Sequence, residues 1–263
     1  MENEYNQVLE EMSIANTEHS ENLAVDTNIA IISGVLDDAP RIMHTKNNDR
    51  AISFNIAVLR TVQSAEGVKT YNSWFNIASF NESVVTKVEN LAKGSKVLVQ
   101  GAINVRTWVD QANGQKRTRY EIITDQVTVL NTQESEGADI NMFILSGALD
   151  SAPKITYTKN NNKAVSFNLA VAKIVTNDQG SKTYNSWFNI ASFNGAVAES
   201  AEKLSKGSKV AVQGMLSVRN WIDQNTNEKR IRYEIVIDRM IVLGEQAEAN
   251  YEVDSDIPDE IFS

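Results

Sequence analysis

The feature that most constrains this chain is an internal repeat. The thirteen residues KTYNSWFNIASFN at 69–81 recur letter for letter at 182–194. At the same offset of 113, SGVLDDAP pairs with SGALDSAP, TKNNDRAISFNIAV with TKNNNKAVSFNLAV, and KGSKVLVQG with KGSKVAVQG. VRTWVDQANGQKRTRYEI pairs with VRNWIDQNTNEKRIRYEI, and more than half of positions 29–130 match their partners in 142–243 without an insertion. Solenoid units run to ~20–50 residues because each is one supersecondary element that needs neighbours. Copies of about 100 residues are large enough to bury a core each, so the 263 residues read as two tandem domains, 28–130 and 141–243. A short polar linker, 131–140, joins them, an acidic head covers 1–27, and an acidic tail covers 244–263.

Charge sorts along the same boundaries. The formal net charge is −9, yet head and tail each hold seven acids with no Lys or Arg, and the linker holds three more acids. Half of the 34 acids thus lie outside the two bodies, which retain 17 acids against all 25 Lys and Arg. The bodies are basic, so the whole-chain pI gives no reason to exclude a polyanionic partner. There is no cysteine, which removes disulfides and thiolate metal sites and fits a reducing compartment. The head lacks a basic start and an apolar stretch, and no apolar run approaches a membrane span, so a cytoplasmic protein with no membrane partner is expected.

Each copy reads as strands with one short helix. NIAIISGVL, AISFNIAVL, YNSWFNIASF, SKVLVQGAINVRTW and KRTRYEIITDQVTVL are rich in β-branched and aromatic residues and are bounded by turn residues such as DDAP and TKNND. Asn113-Gly114 supplies a hairpin turn before the fifth strand of copy one. Between strands three and four, Val84, Val88 and Leu91 fall on one helical face, with Asn81 as N-cap and Gly94 as the stop. Five strands with a helix between the third and fourth is the order of an OB-fold. The expected class is all-β, two tandem five-stranded Greek-key barrels.

Alternation of side chains along a strand then sorts the repeated stretch into two faces. Phe75, Ile77 and Ser79 make the better core face; Trp74, Asn76, Ala78 and Phe80 share the other. In strand four Val97, Val99, Ile103 and Val105 form the apolar parity, which leaves Asn104, Arg106 and Trp108 opposite. Copy two repeats the arrangement with Trp187, Phe193, Arg219 and Trp221, so all four Trp occupy two related positions on the polar side of their strands. Lone aromatic residues mostly belong to cores, but four on the polar parity beside arginines fit a stacking platform for single-stranded nucleic acid. Every base offers a π-face, and each stack is worth ~1–3 kcal/mol without reading sequence. Lys116, Arg117 and Arg119, with Lys229, Arg230 and Arg232 in copy two, are placed to follow phosphates. Lys69, Lys96, Lys182 and Lys209 extend that track.

Groups for catalysis are scarce. The two histidines are His19, in the head, and His44, whose counterpart is Tyr157. KGSK at 93–96 and 206–209 lacks the upstream glycines of a phosphate loop and sits after a helix instead of before one, so it reads as a tight turn. Asp110 and Asp223 beside the second Trp read as turn caps. No cofactor is called for, and binding is favoured over chemistry.

These segments, with the ending DSDIPDEIFS, resemble bacterial single-stranded DNA-binding proteins over nearly all of 29–130 and again 142–243. The resemblance implies ssDNA coating in replication, recombination and repair, and base stacking by Trp74, Phe80 and Trp108 with their copies Trp187, Phe193 and Trp221. A further stacking Trp of the family aligns near Val62 and Val175 and is absent here. Members with two OB domains per chain work as dimers, which implies a homodimer with four barrels. The acidic tip resembles the family's recruiter of replication and repair proteins. Its candidate contacts are Asp254, Asp256, Ile257, Pro258, Asp259, Glu260, Ile261 and Phe262, although Asp259, Glu260 and Ile261 intervene before Phe262 and Ser263 follows it. The competing reading is an OB-type interaction module of a replication-restart or recombination complex, for which DNA is secondary. An enzyme using OB domains as a clamp would need a catalytic domain beyond these two.

Overall fold

The structure is a computed structural model that describes residues 26–45, 47–64, 67–109, 114, 116–130, 138–177, 180–222, 224 and 229–245. The head up to residue 25, most of the linker and the tail from 246 onward, including its candidate contacts, lie outside the described residues. Of the Asn113-Gly114 turn only Gly114 is described, at φ 67.

Copy one runs β1 (Asn28–Leu36), β2 (Arg41–His44), β3 (Arg50–Ser64), β4 (Gly67–Ser79), α1 (Glu82–Val88), β5 (Lys96–Val109) and β6 (Lys116–Leu130). Copy two repeats this as β7 (Asn141–Leu149), β8 (Lys154–Tyr157), β9 (Lys163–Asn177), β10 (Gly180–Ser192), α2 (Gly195–Ala201), β11 (Ser208–Ile222) and β12 (Lys229–Glu245). The five expected strands close a ring in copy one. β1 pairs with β5 over most of its length and passes to β3 at Val35 and Leu36, while β4 meets β6 in parallel at Asn76–Ala78. The polar segment between the first two expected strands also contains a short strand, β2, which pairs with the outer edge of β3 and has all four side chains exposed. Sequence patterning misses it because it buries nothing.

Alternation is obeyed where the barrel is closed. Phe75, Ile77, Val97, Val99 and Ile103 are buried together with Ile32, Ile52 and Ile122, and copy two matches with Phe188, Ile190, Val210, Val212 and Leu216. The core parity of β5 survives a bulge between Gln100 and Gly101. Glycine is needed there: a Cβ on Gly101 would lie 2.2 Å from the Ile123 carbonyl oxygen, and one on Gly214 would lie 2.2 Å from that of Val236. The bulge bends the strand so that the barrel closes without exposing its apolar side.

Asn81 caps α1, its side chain accepting from the Ser83 N–H, and Val84, Val85 and Val88 are buried. The helix ends at Val88, earlier than expected; Glu89 is its C-cap and Leu91 continues the apolar side through a turn. Gly94 has a separate task. At φ 91 it makes the turn into β5 and donates its N–H to the Leu36 carbonyl, so KGSK is the connection expected of it.

The two barrels join edge to edge. β1 and β7 pair antiparallel, from Asn28 opposite Leu145 to Ile32 opposite Asn141, so the order β6-β5-β1-β7-β11-β12 runs unbroken through both copies.

Candidate nucleic-acid interface

On β4, Trp74 is 50% exposed while its neighbours Phe75 and Ile77 are buried. Phe80 is exposed at the strand's end; Ala78, on the same side, is covered. On β5, Trp108 is 47% exposed. The ladder sets Trp108 opposite Arg117 and Arg106 opposite Arg119, and directly opposed residues share a face. The β5–β6 hairpin therefore presents one Trp and three Arg on a single side. Arg119 Nη2 donates to Asn76 Oδ1 at 2.8 Å, and its guanidinium lies 3.6 Å from Glu121 Oε1. That bond joins the polar side of β4 to the polar side of the hairpin. Trp74, Asn76, Arg119, Arg106 and Trp108 thus belong to one continuous surface.

Copy two builds the same surface with differences. Trp221 is opposite Arg230 and Arg219 opposite Arg232, and Phe193 and Trp221 are exposed. Trp187 is half-buried, less open than Trp74. Arg232 donates to the buried Glu234 at 2.7 Å, and Asn189 donates to the Tyr233 carbonyl at 3.4 Å. Lys69 and Lys182 are exposed on the β3–β4 and β9–β10 hairpins, opposite Val62 and Val175. Lys116 and Lys229 open β6 and β12, and their side chains lie outside the described residues, as do those of Val62 and Val175.

Lys96 and Lys209 stand elsewhere. Lys96 Nζ lies 3.1 Å from Asp139 Oδ1 with its side chain 13% exposed, and Lys209 Nζ lies 3.7 Å from Asp26 Oδ1. Both are committed to carboxylates between the barrels instead of to an open phosphate track, because an aspartate just ahead of the other barrel's first strand, Asp139 ahead of β7 and Asp26 ahead of β1, reaches each lysine.

Two tyrosines, Tyr120 buried and Tyr233 partly buried, also meet between the barrels. Tyr120 and Tyr233 stack with ring centroids 4.5 Å apart, and Tyr120 is edge-on to Phe188 at 5.9 Å. Its hydroxyl donates to the Trp187 carbonyl at 3.3 Å. Burial pushes the Tyr120 hydroxyl up to about 12 against the opposing pull of a hydrogen bond with the Asn189 main chain, and Tyr233 adds to the rise. Tyr233 is raised as well by burial, with Arg119 opposing.

The sequence profile of the Single-strand binding protein family matches residues 27–130 and again 140–243. The chain belongs to that family. A single-stranded DNA-binding protein of Borreliella burgdorferi is 28% identical over 46% of this chain and 80% of its own length. Single-stranded DNA-binding protein 1 of Xylella fastidiosa is 32% identical over 43% of this chain and 84% of its own. The matched stretches, 120 and 115 residues, are each about the length of one copy. The two-barrel architecture has solved counterparts in the single-stranded DNA-binding protein of Thermus aquaticus. Its wild-type structure superposes with a TM-score of 0.65 at 18% identity over 87% of this chain and 98% of that one. A deletion mutant of it gives 0.66 at 20% identity, over 87% and 100%. The family is one of DNA-binding proteins, and among the described residues no helix is long and apolar enough to cross a membrane.

Sequence reasoning overlooked Asp26, Asp139, Tyr120 and Tyr233. The signal was present: DTN at 26–28 and DIN at 139–141 obey the offset of 113, as does the Tyr of both RYEI segments. Asp26 and Asp139 merged into their acidic surroundings and were counted with head and linker.

Proposed function

We infer that this member of the family binds single-stranded DNA without catalysis and without strong sequence preference, by stacking bases on Trp74, Phe80, Trp108, Trp187, Phe193 and Trp221. Arg106, Arg117 and Arg119, with Arg219, Arg230 and Arg232, neutralise phosphates along the same surfaces. The observation that carries this reading is the Arg119–Asn76 bond, which merges two separately positioned Trp side chains and three arginines into one exposed face. Trp74 is half-exposed on a strand whose other side is buried, and Trp108 is half-exposed near the outer end of β5; neither ring has a packing task that requires Trp, and stacking on bases gives them one. The protein then coats exposed strands in replication, recombination and repair.

A homodimer of four barrels is supported by the outer side of the six-stranded sheet. Ile29 and Ile241 are exposed there, and Ile31, Leu98, Met142 and Ile144 are incompletely covered, an apolar surface suited to a second copy. The acidic tip from Asp254 to Phe262 is assigned to recruitment of replication and repair proteins on its Asp-rich run, its Ile-Pro pair and the Phe262 that precedes Ser263.

The test is Trp74→Ala combined with Trp187→Ala, titrated with oligo-dT by tryptophan fluorescence and by anisotropy. Weaker binding with most of the quenching removed is expected. Unchanged affinity would overturn the stacking model in favour of an interaction module, and sedimentation of the parent chain reports the dimer.

A further inference from the structure

We propose that Asp26 and Asp139 are reciprocal positioning residues that hold the two DNA-stacking surfaces in one fixed orientation, so that a single strand engages both. The inference rests on the stacking surfaces proposed above. Asp139 immediately precedes Ile140 and β7, yet its carboxylate is inserted into barrel one. Oδ2 accepts the Leu59 N–H at 2.7 Å, Oδ1 accepts from Ser33 Oγ at 3.2 Å, and Lys96 Nζ is 3.1 Å away. Asp26 does the same in barrel two. Its Oδ2 accepts the Ala172 N–H at 2.8 Å, its Oδ1 accepts from Ser146 Oγ at 3.5 Å, and Lys209 Nζ is 3.7 Å away. Every partner pair obeys the offset of 113: Ser33 with Ser146, Leu59 with Ala172, Lys96 with Lys209. The flanking main chain follows suit, since Ile140 N–H donates to Ser33 Oγ at 2.8 Å and Thr27 N–H to Ser146 Oγ at 2.6 Å. The carboxylate side chains are only 3% and 8% exposed.

The place gripped is what connects the clamp to DNA. β1 pairs with β3 only at Ile56 and Ala57, after which β3 leaves the barrel as one arm of a long hairpin. The part-buried Leu59 N–H beyond that point needs an acceptor, because a donor shielded from water and left unpaired is destabilising, and a carboxylate from the segment leading into the other barrel supplies it. Ala57 is the ladder partner of Trp74, two residues from Leu59. In copy two Ala170 is the ladder partner of Trp187, two residues from Ala172. Each aspartate therefore fixes the main chain beside the first Trp of the opposite barrel. The Tyr120 hydroxyl on the Trp187 carbonyl reinforces one side of the same junction. A binding surface fixed in advance loses less entropy when the second barrel engages than one that must find its orientation on a tether.

The experiment uses the full chain with Asp26→Ala and Asp139→Ala together, and with Asp26→Asn and Asp139→Asn as the variant that keeps an acceptor oxygen. Oligo-dT of roughly 8 nucleotides fits within the ~4–16 that one OB domain covers, and its affinity stays at the parent value. For oligo-dT long enough to reach both barrels the alanine pair binds roughly tenfold more weakly, the scale of a lost pre-organised second engagement, and the asparagine pair recovers part of the loss. The chain has no cysteine, so Asp49→Cys and Asn162→Cys, both exposed and on different barrels, take spin labels cleanly. In chains diluted with unlabelled protein, the parent gives one narrow distance and the alanine pair a broad distribution. Equal affinity for long DNA with an equally narrow distance would overturn the proposal. So would parallel loss of short and long binding, the signature of a merely structural role. The label distances do not depend on how DNA is held, so failure of the stacking reading leaves them unaltered and is seen separately.

Discussion

Trp108→Ala separates stacking from packing because the structure lets both magnitudes be worked out. The ring is 47% exposed, at the far end of β5, opposite Arg117 and outside the buried cluster. A fully buried Trp covers ~150–250 Å², so about 100 Å² of contact with the protein is at stake, or about 2 kcal/mol at ~25 cal/mol per Å². That figure is an upper bound, because the unfolded chain buries part of the same surface. Loss of one base stack costs a further ~1–3 kcal/mol of binding, roughly a 5- to 150-fold rise in Kd. The binding loss is measured by anisotropy with oligo-dT, and the stability loss by urea denaturation of the free protein. Trp108→Phe retains a π-face at the same place and should recover most of the affinity while recovering less of the contact area. If Trp108→Ala and the parent bind oligo-dT equally, the ring does not stack on DNA. If Trp108→Phe is as weak as Trp108→Ala, the loss comes from local packing and the argument fails.

Two other outcomes follow from the folded state alone. With the Tyr120 hydroxyl pushed up to about 12 by burial, the native state keeps a proton that the unfolded chain releases near pH 10, so stability is whole below pH 10 and falls as pH rises towards 12. Tyr120→Phe should make that alkaline decline shallower by up to ~1.4 kcal/mol per pH unit, read from denaturation midpoints between pH 9 and 12; an unchanged slope would show that the phenol does not titrate this way. The glycines should divide by their surroundings. Gly101→Ala drives a methyl against the Ile123 carbonyl and costs on the order of 1–3 kcal/mol or more, whereas Gly195→Ala, in the first turn of α2 with nothing within 4 Å, stabilises by about 0.4–1 kcal/mol. Thermal melts of the two variants check the pair, and a stable Gly101→Ala protein would mean that the bulge is not needed for closure.

Much of this molecule is written locally. An offset of 113 defines two units, alternation in KTYNSWFNIASFN separates Ile77 from Trp74, and Asn81 followed by Val84 and Val88 marks a capped amphipathic helix. Such features depend on residues a few positions apart, where the periods of strand and helix dictate which side chains share a face. The exposure of Trp74, Trp108 and Trp221 was legible for the same reason, since a Trp on the polar parity of a closed-barrel strand is left with solvent on one side.

Tertiary structure decided what depends on separated segments. Asp26 meets Ala172 across 146 positions, and Asp139 meets Leu59 across 80. Nothing local distinguishes those carboxylates from the solvated acids around them. Lys96 and Lys209 have the composition of phosphate contacts, but the pairing of β1 with β7 brings a carboxylate to each. Trp74 and Trp187 sit in identical thirteen-residue segments, yet one is open and the other half-covered. The sequence determined two barrels and the polar-side placement of their Trp rings; the packing of one barrel against the other determined which charges are spent on the junction and how the two Trp-bearing surfaces are held relative to each other.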